Sequence, residues 1–319
     1  MIQLIAERFV PVAENCSPLQ RAQQDAKGEF FRYVAEQGHY AGRTIPSATR
    51  QGLYAFKADG TLLASVNTRE ARPLLGMLDR ALERWDADPH TGDGTPETYE
   101  PDPKFRSRYP EGGLILLVTT RDLPRDVDTR PDDLRRRAFN HDYAWFTREE
   151  AASIVPNEPR VDQRVPVPWP IVRRIARFHL LDSARGETPS WREESVEIAE
   201  VTVEVTGVEG SRVEARLEGR IRNHAQGTWA VRAFQPPEPD RDRGFDARLL
   251  GFLTYDRATV AFTRFDVLAV GTRWGGTEHN GRYDDLAPAP MGVLFELAGS
   301  LPRDRTPPHA NLADYFDIT

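Results

Sequence analysis

The spacing of hydrophobic positions changes along this chain, from helical in its first quarter to alternating in its second half. Residues 2–8 have the apolar spacing of a helix end, and Phe9 to Ala13 is a short apolar stretch of strand type. Helical spacing resumes over Leu19 to Glu36, where Phe30, Phe31, Val34 and Ala35 form one stripe. The segment LYAFKADGTLLASVN predicts two strands around Ala58-Asp59-Gly60, because Asp-Gly supplies the positive φ that a tight hairpin needs. Arg72 to Trp85 then repeats Leu74, Leu75, Leu78, Leu82 and Trp85 at the spacing of an amphipathic helix.

Residues 89–113 show no period and are rich in proline, glycine and acids, so they predict a linker between a first domain, 1–88, and a second, 114–319. The second domain opens with the apolar run Leu114 to Val118, the length of a buried strand, and FNHDYAWF then closes a polar connection. Thr147 and Glu150 stand at capping-box spacing and start a helix that Pro156 ends. IVRRIARFHLL puts Ile171, Ile175, Phe178 and His179 on one helical face, with Arg173, Arg174 and Arg177 elsewhere.

From Val196 the period is two. VEIAEVTVEV alternates with a phase slip near Ala199-Glu200, which predicts a β-bulge. RVEARLEGRI alternates without a break, and TWAVRAF can add a further strand. After the loop QPPEPDRDRG, a long hairpin turns at Asp256 to Thr259; MGVLFELAG fits strand and helix equally. The expected fold is α+β: a small module, then a larger antiparallel β-meander or partial barrel with the helices of 147–181 packed on one side.

Composition narrows the function classes. A formal net charge of −7 argues against a nucleic-acid partner, since phosphates want a basic surface. The arginines of RDLPRDVDTRPDDLRRR are interleaved with acids, the pattern of a solvated face. No stretch approaches the roughly 18 apolar residues of a membrane helix. MIQLIAERF lacks a basic-then-apolar leader, so a cytoplasmic location is expected, with export open if the native start lies upstream. The single cysteine, Cys16, excludes an intramolecular disulfide framework.

The order helix end, strand, helix, hairpin, helix over residues 1–88 resembles the later four-fifths of a thioredoxin-like domain, and LYAFKADGTLLASV is similar to that superfamily's central hairpin. Two features of the family are absent from this sequence: its CxxC pair, and the proline before the hairpin strand, where Gln51-Gly52 stands. The resemblance therefore implies a thioredoxin-like module without redox machinery, because thiol-disulfide exchange needs an attacking and a resolving sulfur.

Chemistry has few places to sit. There is no Gly-x-Ser-x-Gly elbow, phosphate-binding loop, dinucleotide fingerprint, HExxH or paired-cysteine zinc pattern. The strand-end segment RWGGTEHNGRYDD carries Arg273, Trp274, Glu278, His279, Asn280, Tyr283, Asp284 and Asp285 between glycines, where a binding or acid-base site would stand. Trp274, Arg273, Asn280 and Tyr143 are the ligand-binding candidates, and Cys16, His279 and Tyr283 the catalytic ones. His141, His179 and His279, with Glu278 or Asp284, could hold a divalent Fe, Cu or Zn. His39, in a glycine-flanked loop, fits a solvated histidine better than a ligand.

Three readings follow. The first is a non-redox module that binds a small-molecule ligand or protein partner, with a second copy of the chain among the possible partners. The second is a metal-dependent enzyme, and the third a single-thiol enzyme working through Cys16.

Overall fold

A computed structural model describes residues 1–12, 26–42, 49–68, 70–89, 109–125, 138–233, 235–299, 304, 306–309 and 312–316. The chain divides into two compact units, Met1–Pro101 and Asp102–Thr319. In the first lie α1 (Ile2–Arg8), α2 (Ala26–Glu36), β1 (Leu53–Phe56), β2 (Leu62–Val66) and α3 (Ala71–Ala87). β1 and β2 pair antiparallel, with Leu53 opposite Val66 and Phe56 opposite Leu62. Gly60 turns the hairpin at φ +85, a conformation that a Cβ disfavours. Ala55, Leu63 and Ala64 of the hairpin pack on Met77, Leu78 and Ala81 of α3, with Leu4, Ile5 and Phe9 at the margin.

The apolar stretch after α1 is not a strand where it is described. Phe9 caps α1 in extended backbone and donates its N–H to the Ile5 carbonyl. Val10 and Val12 are exposed.

In the second unit lie β3 (Leu114–Asp122), β4 (Phe139–Phe146), α4 (Arg148–Ser153), β5 (Arg164–Pro166), α5 (Trp169–Arg174), β6 (Val196–Glu209), β7 (Arg212–Trp229), β8 (Glu238–Asp256), β9 (Ala261–Trp274), β10 (Ala289–Leu297) and α6 (Leu312–Tyr315). The strands make one eight-stranded sheet in the order β4-β3-β10-β9-β8-β7-β6-β5, and every pairing is antiparallel. β6 to β10 are a consecutive meander, β3 joins beyond β10, and β4 and β5 are the edges.

Alternation builds the core. Val203, Val205, Leu217, Ile221, Phe245, Ala269 and Val293 turn to one face, where Ile154, Ile171, Val172, Ile175 and Ala176 from the helical segment cover them. Each large side chain so buried contributes about 1.5–3 kcal/mol before entropy is counted. The capping box forms as its spacing requires: the Thr147 hydroxyl accepts from the Glu150 N–H at 3.2 Å, and the Glu150 carboxylate from the Thr147 N–H at 2.8 Å.

Four local expectations change. FNHDYAWF is strand β4, paired along β3 from Leu114–Phe146 to Arg121–Phe139. Ala144, Trp145 and Phe146 are all buried, so no alternation marks it. The register shifts of β6 fall at Val196/Ile198 and Val205/Gly207, not at Ala199-Glu200. TWAVRAF is no separate strand, because β7 runs unbroken to Trp229, and PDRDRG begins β8 opposite it.

Arg174 and Arg177 are buried and not solvated, because carboxylates meet them there. Arg174 donates twice to Glu150 at 2.8 Å, and Arg177 twice to Asp314 at 2.9 and 3.1 Å. A π-helical turn over Ile175–His179 inserts a residue and shifts the helix phase that the sequence pattern assumed.

Candidate functional site

Two polar constellations gather at the end of the sheet where β3 and β9 finish and β8 begins. On the inner face, Asp122 ends β3, Arg273 stands near the end of β9, and the loops supply Asp182, Arg185, Arg282 and Asp285. Arg282 donates to Asp182 at 2.6 and 2.8 Å and reaches both oxygens of Asp122. Arg185 meets Asp122 at 2.8 Å and Asp285 at 2.9 Å. Asp285 also accepts from Arg273 at 2.6 Å and from both Arg125 nitrogens at 2.8 Å.

Burial would raise the Asp285 carboxyl, but the guanidinium groups of Arg125 and Arg273 hold it well below the usual carboxylate range. Burial also opposes the charge on Arg282, and the carboxylates of Asp122 and Asp182 more than restore it. Arg273 is lowered, by burial first and then by the charge of Arg282. The four arginines and three aspartates are thus joined in one charge lattice.

On the outer face stands a shallow cleft of about 260 Å³, lined by Asp240, Asp242, Trp274, Gly276, Leu286 and Pro288 among others. Trp274 lies opposite Gly244 in the β8–β9 register; a Cβ there would come within 2.0 Å of the indole, so only glycine lets the ring lie across β8. The indole N–H donates to Asp242. The other Asp242 oxygen takes the Gln226 amide at 2.9 Å and the Nε2 of His224 at 3.1 Å, while His224 Nδ1 meets Glu197 at 2.8 Å.

Burial opposes the imidazolium of His224, yet bonds to Asp242 and Glu197 outweigh it and raise its pKa. Asp242 in turn is lowered: burial works against the anion, and Gln226, His224 and Trp274 overcome it. Asp240 holds a left-handed backbone at φ 56, a conformation Asp tolerates better than most residues. Strain of that kind gathers at binding sites.

A third group is internal. His179, whose side chain is fully buried, lies with Nε2 2.9 Å from the Tyr315 hydroxyl and Nδ1 3.3 Å from Asp142. The Tyr315 oxygen accepts the Trp145 N–H at 3.1 Å, and its hydroxyl also stands 3.5 Å from the Trp145 carbonyl. Burial would raise Asp142, but His179 and the His309 and Tyr143 N–H groups lower it. This chain ties α6 to the sheet.

The remaining sequence candidates are dispersed. His279 and Glu278 are exposed on the loop after β9, 3.9 Å apart. His141 is exposed on β4 with its ring 3.0 Å from the Thr119 hydroxyl, while its neighbour Asp142 turns the other way to His179. Asp284 is exposed on the same loop as His279. The three imidazoles thus have different partners, and among the described residues no three His, Cys, Asp or Glu side chains are grouped to hold a metal ion.

Arg273 and Asn280 are structural in their contacts. Arg273 is fully buried in the charge lattice, and Asn280 accepts the Thr277 N–H at 3.0 Å. Tyr143 donates to Asp304 at 3.2 Å and packs beside Trp145. Tyr283 is half exposed beneath the Arg232 guanidinium. Of the ligand-binding candidates only Trp274 lines the cleft. In the first unit His39 stacks on Tyr54 with ring centres 5.1 Å apart. Cys16 lies outside the described residues.

Asp240, Asp242, His224 and Glu197 were not singled out from the sequence. The signal for Asp240 and Asp242 is QPPEPDRDRG, whose acids read as loop until its pairing with β7 is known. Among the described residues, no helix is long and apolar enough to cross a membrane. Comparison with protein-family models, with curated proteins and with solved structures found no match to this chain.

Proposed function

We propose that this chain is a non-catalytic binding protein whose outer cleft takes a small organic cation, an amine or guanidinium compound. The observation that carries this reading is the meeting of the Trp274 indole with the carboxylates of Asp240 and Asp242 at one cleft. An aromatic ring attracts a cation through its quadrupole, and carboxylates add directional acceptors. Strand ends hold these groups, with His224 and Glu197 behind Asp242, so little ordering is needed on binding. The cleft is near the lower end of ligand-site volumes, which favours a compact ligand.

The first unit is read as a thioredoxin-like remnant that serves as a partner-binding module. Its support is the antiparallel hairpin with α3 packed on it, and Gln51-Gly52 where the family has a proline. A single cysteine suits a reducing compartment, hence the cytoplasm. Titration with agmatine, followed by calorimetry, tests the cleft. Saturable one-site binding that disappears in Trp274→Ala and in Asp240→Asn is expected; absence of binding by the unaltered protein would sink the reading.

A further inference from the structure

The outer face of β8 and β9 exposes large apolar side chains together: Leu250 at 49%, Phe252 at 48%, Leu268 at 45% and Val270 at 41%. Leu250 stands opposite Leu268, and Leu268 opposite Leu294 of β10, so a leucine row crosses three strands. Single exposed hydrophobics are ordinary, whereas a contiguous group in mid-sheet marks a contact surface.

On β8, β9, β10 and β3 the charges beside this row differ in sign on its two sides, whereas β7 carries an arginine on each side, Arg220 and Arg216, paired within the chain to Asp246 and Glu218. Toward the Trp274 end come Arg248, opposite Val270, and Arg121, opposite Gly292. Away from it come Asp266, opposite Phe252, and Glu296, opposite Leu117. One step further the signs exchange, with Asp246 on the first side and Arg264 on the second. Among the described residues Arg248, Arg121 and Glu296 have no ion-pair partner, although Arg248 helps lower Asp246.

We infer that this face is the contact between two copies of the chain, packed sheet on sheet about a two-fold axis that runs along the leucine row. Such an axis keeps each strand over its own counterpart and exchanges the two sides of the row, as an isologous contact requires. Leu250 and Leu268 then meet themselves, and Phe252 comes over Arg248 of the partner subunit. Asp266, which also meets Arg264 of its own chain at 2.6 Å, is then offset sideways by one strand spacing, about 4.8 Å, from Arg248 of the partner subunit across sheets about 10 Å apart, and Glu296 is offset likewise from Arg121 of the partner subunit. An axis along the strands would instead set arginine side against arginine side. The antisymmetric charge pattern thus selects a second copy of this chain, in one orientation.

Sedimentation of the full chain across the micromolar range tests this. A species of twice 36.1 kDa is expected, and Leu268→Asp, at an exposed position, reduces it to one chain while far-UV circular dichroism is unchanged. Arg248→Asp weakens the association at least about tenfold, as loss of an interface charge partner does, and Arg248→Asp with Asp266→Arg restores it. A chain that stays monomeric throughout, a dimer indifferent to Leu268→Asp, or a double variant no tighter than Arg248→Asp alone would each overturn the proposal.

Discussion

The two faces of the sheet use the same residue types at the same strand ends to opposite effect. Inside, Arg273 and Arg282 are fully buried among Asp122, Asp182 and Asp285. Outside, across one layer of backbone, Arg220 pairs with Asp246 at 2.8 Å with both side chains partly exposed in the single chain. An exposed pair exchanges water for partner at almost no gain, while a buried charge that loses its partner cannot recover its hydration. The inner cluster therefore acts as one unit that seals the end of the core. On the outer face the Trp274 ring has the Arg222 guanidinium 5.9 Å from its centre, and Asp240 is exposed.

The largest expected effect separates these cases. Arg282→Ala leaves Asp122 and Asp182 buried without their bidentate partner and should cost about 3–5 kcal/mol in denaturant unfolding. Neutralising the acids as well, with Arg282→Met, Asp122→Asn and Asp182→Asn combined, should recover most of that loss; additive losses would mean the lattice is not one unit. Next comes Tyr315→Phe, which strips the acceptor from the Trp145 N–H and the hydroxyl from His179, at about 1–3 kcal/mol. Little change in the unfolding midpoint would show that α6 does not depend on this bond.

The outer face predicts smaller effects with a pH signature. A histidine whose pKa is raised on folding stabilises the fold fully below its unfolded value, and the contribution fades as pH climbs through the folded value. For His224 the loss should begin above its ordinary value of 6.5, and His224→Gln should remove that part of the stability-pH profile. An unchanged profile would deny the carboxylate sandwich its role. Smallest of all, Arg220→Ala should leave the unfolding midpoint where it was, since both partners are partly exposed; a drop comparable to that of Arg282→Ala would erase the contrast between the faces.

Much of the scaffold can be read from short-range pattern. The turn at Gly60, the capping box of Thr147 and Glu150, and the hairpin turn after Asp256 each depend on residues a few positions apart, and each is found. β4 escaped notice because Ala144, Trp145 and Phe146 are buried on both faces, which removes the period that marks a strand. The start of β8 escaped because its acids and arginines look like loop until β7 is beside them. Of the candidate site, Trp274 was visible as an aromatic at a strand end. Asp240, Asp242 and His224 were not, because their convergence depends on the β7–β8 and β8–β9 registers.

Alternation and helical spacing are local, so the chain's own pattern was enough to specify an antiparallel β unit with helices on one side. Which arginines are buried, which histidines meet carboxylates and where an indole lies open are set by partners tens to more than a hundred residues away. Arg282 and Asp122 meet across 160 positions, and His179 and Tyr315 across 136. Their burial and their pairing exist only once the sheet has closed over them.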